Sequence, residues 1–377
     1  MLNTEPHVFN LDTLSSIAES IIKACYQCGN CTSVCPLRRV SKFNPRRFIH
    51  NAQLGGSLSD DELTMCLTCA KCYEVCPQEV NIPEFIRLSR VDKIIDEKSY
   101  AHHNVFNLLQ IFMAEMTEKG MEFNYEGEID PDSNIAYFPG CIDLFDRFLG
   151  LEKTKFHPIG QSAINLMNKV GIKPNVISLK CCGHDAYWTG DNESFSKVRQ
   201  FNTTTIKESN IKTLVTSCAE CFYTFSELYD LDIEIKHISQ FIEEHQAALG
   251  FKGEDITVTY HDPCRLGRFM KEYESPRTVL RNTGATLKEL PLNKQFTNCC
   301  GVSAWLRCDD QSRALMLSKL EEAKQVVGND GTLTVACTKC FAHLNCVLED
   351  KEPQHDYQLQ VKELGMLIDE ISTKNER

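Results

Sequence analysis

Twenty cysteines stand in this 377-residue chain, and eighteen of them fall into repeated spacings. Near the start run Cys25-x2-Cys28-x2-Cys31-x3-Cys35-Pro36 and Cys66-x2-Cys69-x2-Cys72-x3-Cys76-Pro77. Further on come two sets of five: Cys141, Cys181, Cys182, Cys218 and Cys221, then Cys264, Cys299, Cys300, Cys337 and Cys340. Thiols at fixed spacing do one of two things. They cross-link a short secreted chain that lacks a core, or their thiolates hold metal. A long chain with repeated close spacings and no secretory leader in MLNTEPHVFN fits metal ligation in a reducing compartment.

The first two runs follow the pattern of two-cluster ferredoxins, in which the fourth cysteine of each run serves the other cluster. The expected sets are therefore Cys25, Cys28, Cys31 and Cys76 for one [4Fe–4S] cubane, and Cys66, Cys69, Cys72 and Cys35 for the second. Zinc sites rarely use this triple spacing. Each proline ends its turn before the next element.

The five-cysteine sets form an internal repeat, with corresponding cysteines 118–123 residues apart. The flanks repeat as well: IAYFPGC echoes VTYHDPC, and LVTSCAECF echoes LTVACTKCF. Such a duplication predicts two homologous domains. Five thiolates exceed the four of a tetrahedral zinc site or an ordinary cubane, so each set implies an unusual cluster or a spare reactive thiol.

The elements that must carry these loops differ between the two parts. Around the first runs the signals are helical: Leu14, Ile17, Ala18, Ile21 and Ile22 recur at helical period. Asn44-Pro45 reads as a cap and first turn for Phe48, Ile49 and Ala52, stopped by Gly55-Gly56. Pro83 opens a helix with Ile86, Val91, Ile94 and Ile95. A segment with Phe106, Leu109, Phe112, Met113 and Met116 reads as a connecting or partner-binding helix before the linker EGEIDPDSN. In each repeat, β-type runs lead into the first cysteine (135–138 and 256–260) and into the CxxC (213–216 and 332–335). Helices are expected over 161–170 and 313–327, with Ser275-Pro276 starting another. The expected fold is thus multidomain α plus α/β: a helical ferredoxin domain over 1–125 and two α/β domains over 133–250 and 254–377. Ligands leave strand ends, where α/β folds place their chemistry, and the glycine after each cysteine pair is expected to let the backbone approach a cluster closely.

The N-terminal part resembles the α-helical ferredoxin module of fumarate reductase and heterodisulfide reductase iron–sulfur subunits. Each repeat resembles the CCG cysteine-rich domain of the catalytic subunit of heterodisulfide reductase, with all five cysteines present. In that order the chain looks like a fused, single-chain form of the family. The resemblance implies that electrons arrive through two cubanes and reach two noncubane [4Fe–4S] clusters, between which a disulfide such as CoM-S-S-CoB is reduced to two thiols. A rival resemblance is to electron-relay subunits of quinone-linked dehydrogenases of the glycerol-3-phosphate or lactate type, which do no disulfide chemistry.

Several other residues are candidates. Arg265, Arg268 and Arg307 would bind an anionic substrate tail or form surface ion pairs. His184 and His261 would donate a proton or serve as ordinary hydrogen-bonded histidines. Trp188 and Trp305 follow the cysteine pairs at nearly equal offsets and would shield clusters or fill a core. Cys308 and Cys346 lie outside every set and are expected to be buried packing residues.

Composition is that of an ordinary globular protein, 42% hydrophobic and 24% charged. No apolar run reaches the ~18 residues of a membrane span. A net charge of −12 argues against nucleic acid as a partner. Against that acidic background, residues 31–59 hold no Asp or Glu but carry Arg38, Arg39, Lys42, Arg46 and Arg47, either a solvated face or a docking patch for an acidic redox partner. There is no nucleotide or flavin fingerprint. Electrons are therefore expected from a partner: a flavoprotein, a hydrogenase or dehydrogenase module, or a membrane cytochrome. The expected location is the cytoplasm, with membrane attachment only through such a partner.

Overall fold

A computed structural model describes residues 11–91, 100–115, 118–253, 256–349 and 357–374, with side chains from residue 15 onward. The side chain of Leu14, and Ile94, Ile95 and Met116 of the predicted stripes, lie outside the described residues. Among the described residues no helix is long and apolar enough to cross a membrane.

The N-terminal part is helical. Asn44 caps the helix Pro45–Gln53, its side chain accepting from Arg47 N, and Phe48 and Ile49 are buried beneath it. The second cysteine run is preceded by the helix Asp60–Met65, closed by a reciprocal capping box between Ser59 and Glu62. The helix Ile82–Val91 buries Phe85, Ile86 and Leu88. The predicted stripe of the first helix, Leu11–Lys23, is shallower: Ile17 is exposed and Ala18, Ile21 and Ile22 are half-buried.

The duplication is visible as topology. One sheet contains β1 (Ile135–Phe138), β2 (Asn175–Val176), β3 (Thr213–Thr216) and β4 (Glu234–His237); the other contains β5 (Thr257–His261), β6 (Thr286–Leu287), β7 (Thr332–Val335) and β8 (Gln360–Glu363). Their strand orders, 2-1-3-4 and 6-5-7-8, are the same, and every pairing is parallel. In each sheet the chain leaves the central strand to one side and returns on the other. That switch point, between β1 and β3 or β5 and β7, is where an open parallel sheet leaves a crevice at its strand ends.

Three boundaries differ from the sequence expectation. β5 runs one residue later and ends on His261, because the backbone stays in register with β7 as far as Val335. The helix expected from residue 161 starts at His157, with Pro158 in its first turn. The helix expected from residue 313 starts at Asp310, capped by Asp309. The connecting helix, Val105–Glu115, buries Phe106, Gln110 and Met113 but leaves Leu108 and Phe112 exposed.

Candidate iron–sulfur centres

The first cysteine of each repeat follows the central strand: Cys141 caps the helix Ile142–Phe148, and Cys264 precedes the π-turn Arg265–Phe269. Cys218 and Cys337 stand at the helix starts after β3 and β7. The paired cysteines come from the loops after β2 and β6. Sheet topology therefore carries residues some forty positions apart to one crevice.

Three recesses result. The first, about 490 Å³, is lined by all five cysteines of the first repeat. The second, about 340 Å³, is lined by all five of the second repeat. The third is lined by Cys35, Cys66, Cys69 and Cys72, residues of two different runs. Of the other set, Cys31 is buried, Cys25 and Cys76 are half-buried, and Cys28 is exposed. The Tyr26 hydroxyl neighbours Cys28 and lies in the field of Cys25 and Cys76.

Neighbouring thiols follow one another through the structure. Cys69 neighbours Cys299, Cys299 neighbours Cys300 and Cys264, and Cys300 approaches Cys340 at 3.3 Å. Cys340 neighbours Cys337, and Cys337 neighbours Cys218 of the other repeat. Cys218 and Cys182 both neighbour Cys221, Cys182 neighbours Cys181, and Cys181 lies 3.3 Å from Cys141. None of the twenty cysteines is in a disulfide. Buried, unlinked thiols converging on hollows fit iron–sulfur clusters. Burial and neighbouring thiols hold Cys35 and Cys72 above the usual thiol range, a cost that cluster iron removes by keeping the sulfur as thiolate.

A network of charge joins the parts. Lys339, inside the second CxxC, donates to Glu220 at 2.8 Å and also pairs with Asp185. Glu220 is the matching residue of the first CxxC, so equivalent positions of the duplicated domains meet with opposite charge. The two carboxylates face one ammonium and split in character. Asp185 is held below the ordinary carboxylate range by Lys339 and His184 in spite of burial. Glu220 is pushed up by burial, with Asp185 beside it adding to the rise.

His184 Nε2 accepts from Arg265 Nε at 2.9 Å, while Nδ1 faces Asp185 at 3.0 Å and Glu220 at 3.2 Å. Burial lowers its pKa to about 3. It is a neutral, fully engaged imidazole and not a free proton source. His261, at the end of β5, is buried beside Cys300 and Cys340, their donor atoms within 4.8 Å of one another.

The arginines also depart from expectation. Arg265 is 3% exposed. It donates to Thr68 O at 2.7 Å and Thr68 Oγ1 at 3.0 Å, and stacks over Trp188 and Phe269, each at 4.2 Å. It thus clamps the second repeat onto the ferredoxin loop, with its side chain at the edge of the second recess. Arg268 does the same through Cys69 O at 2.6 Å. Arg307 pairs with Asp61 and Asp309, both at 2.5 Å, and lines none of the three recesses.

The tryptophans are not equivalent. Trp305 of the second repeat stacks on Phe106 at 4.4 Å and lines the recess of the first repeat. Trp188 packs on Arg265. The glycines have a local role. Gly183 has φ +85°, and a Cβ there would sit 2.7 Å from Phe195 Cδ2; Gly301 has φ +104°, with His343 and Leu315 at 3.1 and 3.2 Å. A left-handed turn under close helix packing requires glycine in each case, and Gly301 N also donates to Cys299 Sγ at 3.5 Å. Cys308 is exposed, contrary to its expected burial, and Cys346 is half-buried.

Sequence comparison agrees with this architecture. The family described as a cysteine-rich domain, CCG, matches residues 135–226 and again 258–345, and a 4Fe-4S dicluster domain matches residues 24–81. The chain belongs to the iron–sulfur proteins that join a dicluster ferredoxin domain to a duplicated CCG domain. Among its relatives is a subunit of the dihydromethanophenazine:CoB–CoM heterodisulfide reductase of Methanosarcina acetivorans, 26% identical over 261 residues, or 64% of this chain and 62% of that protein. A subunit of the fumarate reductase (CoM/CoB) of Methanothermobacter marburgensis is 26% identical over 254 residues, 66% of this chain and 49% of its own. The EtfAB:quinone oxidoreductase of Syntrophomonas wolfei is 24% identical over 202 residues, 51% of this chain and 26% of its own. The chain thus spans less than two thirds of the length of these relatives.

Proposed function

We propose that this protein is a heterodisulfide reductase-like oxidoreductase that reduces a disulfide, CoM-S-S-CoB or a related one, to two thiols: RSSR′ + 2 e⁻ + 2 H⁺ → RSH + R′SH. The observation that carries the reading is the convergence of all five cysteines of each repeat on one recess. Neighbouring thiols run from Cys69 in the ferredoxin domain to Cys141 in the recess of the first repeat. The proposed ligands are Cys25, Cys28, Cys31 and Cys76 for one cubane, Cys66, Cys69, Cys72 and Cys35 for the other, and the two five-cysteine sets for two noncubane clusters. Such clusters, when bound, supply electrons one at a time.

The chain's own residues do the rest. Leu109, Met113, Leu144 and Phe145 make an apolar wall in the first recess, with Trp305 and Phe106 stacked at its side. That wall excludes water from a bound disulfide. Lys339, held by Asp185 and Glu220, faces the same recess. A fixed ammonium in a dry site offsets the negative charge that grows on a sulfur as its bond to the other sulfur breaks. Arg265, Arg268 and Arg90 hold the ferredoxin loops rigid against the repeats, Arg90 by donating to Trp188 O at 2.6 Å and Cys66 O at 2.8 Å. An electron donor of separate origin is required.

The test is anaerobic turnover of a reduced viologen dye with the heterodisulfide, comparing the protein with Cys182→Ser and Cys300→Ser. Dye oxidation that depends on the disulfide and is lost in both variants is expected. Unchanged rates in either variant would overturn the reading. The match to a quinone oxidoreductase favours a second one, an electron relay without disulfide chemistry. Its signature is reduction of a quinone analogue with no response to any disulfide.

A further inference from the structure

We infer that the surface around Cys28 is a docking site for an acidic electron-carrier protein, which delivers its electrons there. The inference needs the ferredoxin-type N-terminal domain but not the disulfide chemistry proposed above.

Cys28 is the one exposed cysteine of the two N-terminal runs. Beside it in the chain, Tyr26 is 59% exposed, with its hydroxyl in the field of the Cys28 thiol. Gln27, between these two residues, donates to Gln53 Oε1 at 2.9 Å. That bond brings the end of the helix Pro45–Gln53 alongside, and with it Leu54, which is 74% exposed. An exposed tyrosine and leucine next to a thiol are an apolar centre of the kind interfaces bury.

Positive charge adjoins that centre. The side chain of Arg46 lies over Gly29, its Cδ 3.7 Å from where a Cβ would stand. Arg46 N donates to Thr32 Oγ1 at 3.2 Å, tying the arginine's helix to the cysteine loop. Arg38, Arg39, Lys42 and Arg47 on the same segment are exposed as well. Among the described residues only Arg47 of these five reaches a carboxylate, Glu62 at 3.8 Å. Exposed cations on the segment that follows the first cysteine run, on a chain of net charge −12, mark where a partner must itself be negative. A chain of that net charge repels acidic proteins as a whole, so the basic segment sets the orientation of approach.

The experiment uses the full cluster-loaded chain and a purified acidic bacterial ferredoxin as probe. Binding of the oxidised ferredoxin is measured by biolayer interferometry across ionic strengths, for the protein, for Arg46→Glu/Arg47→Glu and for Leu54→Asp. In parallel, the rate of electron uptake from reduced ferredoxin is divided by the rate from a reduced viologen dye for each variant. At low salt the charge reversal should slow association about tenfold or more and flatten its salt dependence. The rate ratio should fall by a similar factor. Leu54→Asp should weaken binding with only a small change in salt slope. Ferredoxin binding and rate ratios unchanged in the charge-reversed protein would overturn the inference, as would absence of any binding by the unaltered protein. A protein that takes electrons from ferredoxin but reduces no disulfide sinks the proposed reaction and leaves the docking site standing.

Discussion

Replacing Lys339 by methionine tests the charge network that joins the two repeats. Lys339, Asp185 and Glu220 have side chains 5%, 12% and 9% exposed, so the ammonium cannot be replaced by water without opening the boundary. Opposite unit charges within 4 Å attract by about 4 kcal/mol or more at an effective dielectric of about 20. Removing one partner of such a buried pair costs about 3–5 kcal/mol, since the other charge stays behind. His184 and Arg265 remain, but Arg265 reaches Asp185 only through the imidazole. For a unit the size of the two repeats, at about 2 °C or more per kcal/mol, Lys339→Met should lower the thermal midpoint by at least about 6 °C. Circular dichroism of the anaerobic, iron-loaded protein reads this directly. The double variant Lys339→Met/Asp185→Asn removes the stranded charge and should recover at least half of the loss. A drop below about 2 °C in the single variant would show that the network contributes nothing to holding the repeats together, and no recovery in the double one would refute the stranded charge as the source of the loss.

Further outcomes follow from other parts of the structure. Gly183→Ala should destabilise by about 2–4 kcal/mol, from the left-handed backbone and the collision with Phe195 and Val198. Gly250→Ala, also left-handed but with nothing near its Cβ, should cost only about 1–2 kcal/mol, both variants being compared with the unaltered protein by urea titration. Cys308→Ser, at an exposed position outside every cysteine set, should leave iron content unchanged and stability within about 0.5 kcal/mol. Cys69→Ser should lower iron by about four atoms per chain, measured colorimetrically against protein concentration. Iron at the unaltered level in that variant would remove Cys69 from the ligand set.

Much of this protein was legible in its cysteines. Spacing separated ferredoxin-type runs from five-cysteine sets, and flanking echoes such as LVTSCAECF and LTVACTKCF disclosed the duplication. β3 and β7 fell at the residues expected, because short β-type runs leading into a cysteine leave little choice of register. Strands of two residues, β2 and β6, carried no such signal and appear only through pairing with their neighbours.

What sequence could not decide was which copy faces which. Local pattern treats Glu220 and Lys339 as unremarkable residues inside two CxxC loops. Their opposite charge at matching positions was the one available hint, and it has meaning only once the repeats are docked. The same holds for Arg265, which reads as a free cation until Thr68 and Trp188 close around it, and for Trp305, which covers the other repeat's recess. Ligand chemistry is local, because a loop of a few residues can present several thiols. The order of the thiols from Cys69 to Cys141 is a property of packed domains, since its two joints, Cys69 with Cys299 and Cys337 with Cys218, bring together residues more than a hundred positions apart.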